Sequence, residues 1–460
     1  MTSYGLANPE MKRNIWLELT PNRLVVTPLV LGAIFFLAWL TADDYLEFMG
    51  YLRHISLMLF CLMVFVWGSK LVSESVVSEV NDRTWDFQRM TALGPADMTL
   101  GKLVGSAICP WYGAGFCAAA YILSALCLPD TVRHMKLLLV ILFSGILCHA
   151  LVLAMTLMGI RKNRGREKIN SSFYLVIIIG LLFFSAPLIS LFNKEEMLIR
   201  WYTGVFSPPD FMIFTSAFFL CWSVLGVYRA MRTELQIVNG PWVWTLFLVT
   251  LMLYASGLTA NDDTLSFPDR LMLSLILSYG IGITLTYITA FSEPKDIVDF
   301  RRLADKVAKT QWREAGKLMP LWAISLILSV MLCAATTFFS LTLEIDTLPD
   351  EQQLTTPFYF NLLCFLLRDL GLLIYVNLKG RSDRADIAAM LYLMILYLLI
   401  PAIITVSGAE SLLPVFVPTF DGGLLTGTLP VCIQLVFIIV LVQKRWAAGG
   451  LGVAGGPHGR

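Results

Sequence analysis

Twelve runs of mainly apolar residues punctuate this chain, each near the roughly 20 residues that one helix needs to cross about 30 Å of hydrocarbon. They lie near 24–41, 54–75, 102–127, 135–160, 172–192, 211–231, 241–259, 271–292, 318–341, 357–377, 387–407 and 424–443. The pattern predicts an all-α polytopic membrane protein, since a lone helix meets all its backbone hydrogen bonds within lipid. Composition agrees: 57% of the 460 residues are apolar and 15% are charged, too few charges to coat a soluble domain of this length. A net charge of +1 gives no reason to propose a nucleic-acid partner. The start, Met1 to Arg23, is polar and runs into a full span without a small-residue cleavage site, so no removable signal peptide is expected.

Lysine and arginine set the orientation. With the N-terminus inside, cytoplasmic segments and their helix edges hold 27 of the 34. Among them are Arg161-Lys162-Asn163-Arg164-Gly165-Arg166 and seven residues between Lys295 and Lys317. Outer segments hold Arg53, Arg133, Lys136, Lys194, Arg200 and Arg270, and Arg368 falls within a span. An even number of spans then returns the C-terminus, with Lys444 and Arg445, to the cytoplasm. Residues 447–460 read as a flexible glycine-rich tail. The nine cysteines sit singly in or beside apolar runs, as small hydrophobes do, and show no metal-ligand spacing.

The chain also matches itself at offsets between 213 and 219. Glu18-Leu19 pairs with Glu234-Leu235, and Leu40-Thr41-Ala42-Asp43-Asp44 with Leu258-Thr259-Ala260 and Asp262-Asp263. Asp86-Phe87-Gln88-Arg89-Met90 pairs with Asp299-Phe300-Arg301-Arg302-Leu303, and Gly101-Lys102 with Gly316-Lys317. Gly165-Arg166 with Gly380-Arg381 and Pro187 with Pro401 continue the series. Their collinearity predicts two parallel six-helix halves, 1–231 and 232–446, with a pathway at the interface of the repeats.

The longest cytoplasmic loops follow the second helix of each half, at 76–101 and 293–317. In the first, Asp82 or Thr84 is placed to cap a short helix carrying Trp85, Met90 and Leu93, which Gly94-Pro95 would end. Such an amphipathic helix suits docking to a soluble partner, and it equally suits a resting place for Trp85 and Phe87 among lipid headgroups.

Glu79, Arg83-Thr84-Trp85-Asp86, the Leu93-Gly94-Pro95 turn and Gly101-Lys102 resemble the coupling segment of ABC-2 type exporter permeases. That family commonly shows an acidic residue, a Gly-Thr pair, a leucine-rich helical turn, a proline and a Gly-Lys; Arg83 stands where glycine is usual. The resemblance extends to the six-helix plan, to an amphipathic helix from Asn8 to Leu19 with Trp16 on one face, and to a short outer segment at 193–210. It implies the permease of an ATP-driven exporter in a bacterial inner membrane, partnered by a separate ATPase in two copies that carries ATP and magnesium. Members with six helices per chain dimerise, so a twelve-helix chain would supply both halves. The resemblance implies a first ATPase-coupling loop of Glu79, Arg83, Thr84, Trp85, Asp86 and Arg89. A second would comprise Asp296, Asp299, Phe300, Arg301 and Arg302, without the Thr-Trp pair.

This chain carries no nucleotide site or cofactor motif of its own. The stretch Gly94 to Lys102 has the wrong glycine spacing for a P-loop, and Leu103 follows the lysine where Ser or Thr must ligate magnesium. Within the membrane, Arg368 and Asp369 stand out, since a charge there costs at least ~2.5 kcal/mol on insertion scales and normally faces protein or water. Helix neighbours point about 100° apart, so each is expected to meet a different partner. They are pathway candidates, and the plainer readings are a structural ion pair or a helix break that sets them near the cytoplasmic interface; the first half is apolar at the equivalent Leu153 and Ala154. His149, in the fourth span, reads as a packing histidine or a proton-linked switch. A secondary transporter of the major facilitator kind also has 6+6 parallel halves. The short loop at 231–240 and the missing glycine–acid–basic signature after helix two count against it. A membrane-embedded enzyme would need clustered acids, bases or metal ligands; His54 and His134 are isolated and His458 lies in the tail.

Overall fold

Four helices begin the same way: a capping side chain, then a proline in the first turn, where a missing N–H costs nothing. Asn8, Thr20, Ser207 and Ser266 accept backbone N–H bonds there, opening α1 (Pro9–Glu18), α2 (Pro21–Thr41), α8 (Pro208–Glu234) and α10 (Phe267–Ser292). Between them lie α3 (Tyr45–Asn81), α4 (Trp85–Arg89), α5 (Pro95–Leu100), α6 (Ile108–Cys127), α7 (Thr131–Lys162) and α9 (Trp242–Thr259). The chain continues through α11 (Ile297–Ala308), α12 (Trp312–Leu318), α13 (Leu321–Thr342), α14 (Thr356–Asn377), α15 (Ala385–Val406) and α16 (Leu429–Leu451). The computed structural model describes residues 8–127, 130–162, 198–260, 265–342, 356–378, 385–419 and 424–451.

Eleven helices among the described residues are long and apolar enough to cross a membrane, so the chain is an all-α polytopic membrane protein. Each falls on one of the expected runs; the remaining run, 172–192, and the basic residues at 164–166 lie outside the described residues. Boundaries shift where caps and polar turns override hydropathy. The second span opens at the Asp44 cap and continues to Asn81, about 55 Å of helix at 1.5 Å per residue. That exceeds the roughly 30 Å of hydrocarbon, and the last turns carry Glu74 and Glu79. The third span starts at Ile108, after a π-helical turn over Gly101–Gly105.

The chain divides into two compact units: residues 1–199 with 205–239, and residues 200–204 with 240–460. In the first, α7 packs along α8 and α3 along α6. Its core joins Val72, Met98, Leu103, Leu153, Leu157 and Met231. In the second, α10 packs along α13 and α14 along α16, around Tyr279, Cys333, Leu363, Leu366 and Leu370.

Candidate functional site

Lys102 is fully buried, although a lysine stem usually lets its ammonium reach water. Two of its N–H donors are matched by hydrogen bonds, to Glu79 and to the Ser75 carbonyl, and the Glu10 carboxylate pairs with its charge. Nζ lies 2.6 Å from a Glu79 oxygen, 3.2 Å from Glu10 Oε1 and 3.1 Å from the Ser75 carbonyl, and 5.3 Å from the centre of the Trp85 ring. Arg13 closes the node by pairing with both Glu10 and Glu79. Burial opposes the Arg13 charge, but its hydrogen bond to Glu79 and the two carboxylates outweigh it and move the pKa up. Two cations and two anions therefore neutralise one another in a site that ties α1, α3 and the π turn before α6 together.

Local sequence builds this node. A Cβ on Gly101 would lie 2.5 Å from the Glu10 side chain, so only glycine lets α1 approach so closely. Asn14 bonds Glu10 and the Gly101 carbonyl, and the Asn8 amide bonds the Asp97 carbonyl on α5. The polar face of α1 thus points into the protein, while Trp16, 84% exposed, points away. An open cleft of about 620 Å³ runs beside it, lined by Arg13, Glu18, Glu74 and Ser78.

The short helix of the first loop sits on this node. Trp85 is 4% exposed and faces inward with the core, whereas Phe87 and Met90 are 71% and 75% exposed. The Asp86 side chain is likewise 80% exposed, although it accepts from Arg89 at 3.0 Å. Arg89 also donates to the Glu234 carbonyl at 2.8 Å, and Gln88 to Glu79 at 2.6 Å. Two local expectations are corrected. The Thr84 hydroxyl donates back to the Glu79 carbonyl and does not cap α4. Gly94-Pro95 opens α5 rather than ending α4, because Pro95 fits a first helical turn.

Arg83 takes φ 59°, the left-handed region that favours glycine. Arg83→Gly is expected to keep or slightly raise the melting temperature, and Arg83→Val to lower it, since a β-branched residue tolerates that region poorly. Thermal melts of the detergent-solubilised protein check both.

The second loop is built differently. Asp296 caps α11 by accepting from Val298 N at 2.9 Å, and Asp299 and Arg302 form an exposed pair at 3.7 Å. Phe300 meets Trp322 edge-on, and Arg301 donates to the Trp446 carbonyl at 3.1 Å and stacks on that indole. Glu293, 214 residues beyond Glu79, accepts from the Leu321 amide at 2.9 Å. Lys317, which matches Lys102, pairs outward with its own neighbour Glu314 at 2.7 Å. That bond, with the lysine's charge, holds the Glu314 pKa below the usual carboxylate range. The buried lysine here is instead Lys295, 3.2 Å from Asp386, which also accepts from Asn377.

Inside the membrane, Arg368 and Asp369 meet each other, contrary to the expectation of wholly separate partners. Arginine's long stem lets its Nε turn back to Asp369 Oδ1 at 2.8 Å. The other Asp369 oxygen accepts from Tyr287 at 2.7 Å and Tyr397 at 2.6 Å, while Arg368 Nη1 donates to Gln434 at 2.8 Å. Phe365 and Tyr397 present ring faces to the guanidinium. The pair thus joins α10, α14, α15 and α16. Leu153 lies in the apolar core of the first unit. His149 is buried there with its Nε2–H donated to the Val64 carbonyl at 2.8 Å, inside the π segment of α3, and its ring edge-on to Trp111.

Sequence reasoning missed Glu10, Arg13 and Asn14, whose i, i+3, i+4 spacing on a capped helix was the available signal. It also missed Gln434, Tyr287 and Tyr397, single polar residues in long apolar runs. Among the described residues no three His, Cys, Asp or Glu side chains gather as metal ligands do. Comparison with known protein families, characterised proteins and solved structures finds no match to this chain.

Proposed function

We propose that this chain is the membrane permease of an ATP-driven exporter of the ABC-2 kind, worked by a separate ATPase on its cytoplasmic side. The observation that carries the reading is the first loop. Asp86, Phe87 and Met90 project from a short helix whose other face, Trp85, is anchored on a four-charge node centred on the buried Lys102. An apolar and acidic knob on so stiff a base can pass a push from a soluble partner into α1, α3 and α6. A helix resting among headgroups needs no such base. The motif residues Glu79, Trp85 and Gly101-Lys102, far apart in sequence, all belong to that one node.

The order of elements supports two six-helix repeats. In each unit two spans are followed by two short helices and then by further spans: α2, α3, α4, α5, α6 in one, and α9, α10, α11, α12, α13 in the other. With both termini and both loops cytoplasmic, the arrangement the lysine and arginine distribution supports, the partner has two docking places, of which the first is the better built. We place the protein in a bacterial inner membrane on the same resemblance.

A photo-crosslinking amino acid at position 87, activated in native membranes, tests this. The expected product is an adduct with a P-loop ATPase, lost when Asp86 is replaced by Lys. Adducts with lipid alone would overturn the docking role and favour the interfacial one.

A further inference from the structure

The face of α14 that packs on α16 carries a polar residue every seven positions: Asn361, Arg368 and Tyr375. Positions seven apart lie two helical turns apart on one side of a helix. The opposite helix answers at matching levels. Phe365 packs with Val431, Arg368 bonds Gln434, and a Cβ on Gly371 would lie 2.4 Å from Ile438. A constant offset of 66 or 67 residues means that the two helices run parallel. Continued upward, that register sets Asn361 level with Thr428, in the π turn Leu424–Thr428 that packs on α14. At the other end Arg445 stacks on Tyr375.

Three buried polar atoms along this seam have no hydrogen-bond partner among the described residues: Asn361 Oδ1, Thr428 Oγ1 and Arg368 Nη2. Asn361 is 3% exposed, so bulk solvent does not serve it. Nη2 approaches Asp369 to 2.8 Å, but without hydrogen-bond geometry. One atom accepts, one donates, and a hydroxyl can do both. In hydrocarbon such groups persist only where something polar reaches them.

The backbone beside the seam points the same way. After α15 the chain turns at Gly408, φ 72°, and a 3-10 turn over Glu410–Val415 folds back towards α16. The Val415 carbonyl accepts from Gln434 Nε2 at 2.9 Å, at the level of Arg368. Irregular backbone at membrane depth occurs where it is buried in protein or lines a polar cavity.

We propose that the α14–α16 seam is a binding track for hydroxyl groups, those of water or of a membrane-embedded lipid or substrate, which bridge Asn361, Thr428 and Arg368. The track does not depend on what powers the protein, so it stands or falls apart from the ATPase assignment.

Thr428→Cys, with Asn361→Cys as a second variant, tests it in native membrane vesicles. The probe is a small anionic methanethiosulfonate, with adducts counted by intact mass against the native cysteines. Ile433→Cys, 61% exposed on the outer face of α16, is the control. Because the thiolate in water is the reacting form, a hydrated track should label roughly tenfold faster than the control. If labelling is slow, a lipid that co-purifies with the wild type and is lost from Asn361→Leu in native mass spectrometry supports the lipid or substrate source. Slow labelling at both positions, with no lipid lost from Asn361→Leu, would mean a dry packing defect and overturn the proposal, whatever the melting temperature of that variant.

Discussion

Lys102→Met is expected to destabilise the first unit by roughly 3–5 kcal/mol, the usual cost of stranding a buried charge. The substitution keeps most of the side-chain volume, so the loss is electrostatic rather than steric. Glu10 and Glu79 would remain against each other with Arg13 alone between them, and that side chain is 41% exposed. The Ser75 carbonyl would lose its donor, and Trp85 its cation. Adding Glu79→Gln removes the stranded charge, so the double variant should melt above Lys102→Met, and the two changes should be strongly non-additive. Melting temperatures of the four proteins of this cycle decide it. A Lys102→Met protein that melts with the wild type would show that the node is not held by charge. A variant weakened at the node cannot test docking, which is why Phe87 and Asp86 are the residues to probe, not Trp85.

How much of this was legible in the sequence follows from the physics of each element. Spans were legible because hydrocarbon imposes one crude requirement, length and apolarity, and eleven of the expected runs are helices. Their ends were less so, since caps such as Asp44 act through single side chains. Glu79 and Gly101-Lys102 could be singled out by the resemblance, but nothing local says that Lys102 is buried. Burial depends on Glu10, nearly a hundred residues away. Lys102 and Lys317 match in the offset series, but the structure gives them different surroundings. Among the described residues nothing like α1 packs on Gly316, where an added Cβ would meet only Pro241, at 3.8 Å, and Lys317 stays outside with Glu314. The 3-10 turn at 410–415 was hidden for another reason. A short apolar segment lacking charge after its first residue reads simply as an outer loop until Gln434 is seen to hold it.

Asp369→Leu is expected to cost a similar 3–5 kcal/mol, roughly, because it leaves Arg368 as an uncompensated charge at mid-span. The informative variant is the pair Arg368→Met with Asp369→Leu. Apolar residues of similar volume often replace a buried ion pair at little or no cost, and here the surrounding medium is itself apolar. Full recovery is not expected, since Tyr287, Tyr397 and Gln434 each lose a partner. The double variant should nevertheless melt above Asp369→Leu. What it then does separates the two roles of the pair. On the exporter reading proposed above, if partner ATPase activity and transport return with stability, Arg368 and Asp369 only join α10, α14, α15 and α16. If the double variant folds, binds its partner and fails to transport, the charges themselves serve the pathway. The loss should then appear in transport and not in ATP turnover, because the pair lies within a span and not in the loops proposed to meet the ATPase. A parallel loss of ATP turnover and transport would instead make the pair a relay between those loops and the membrane.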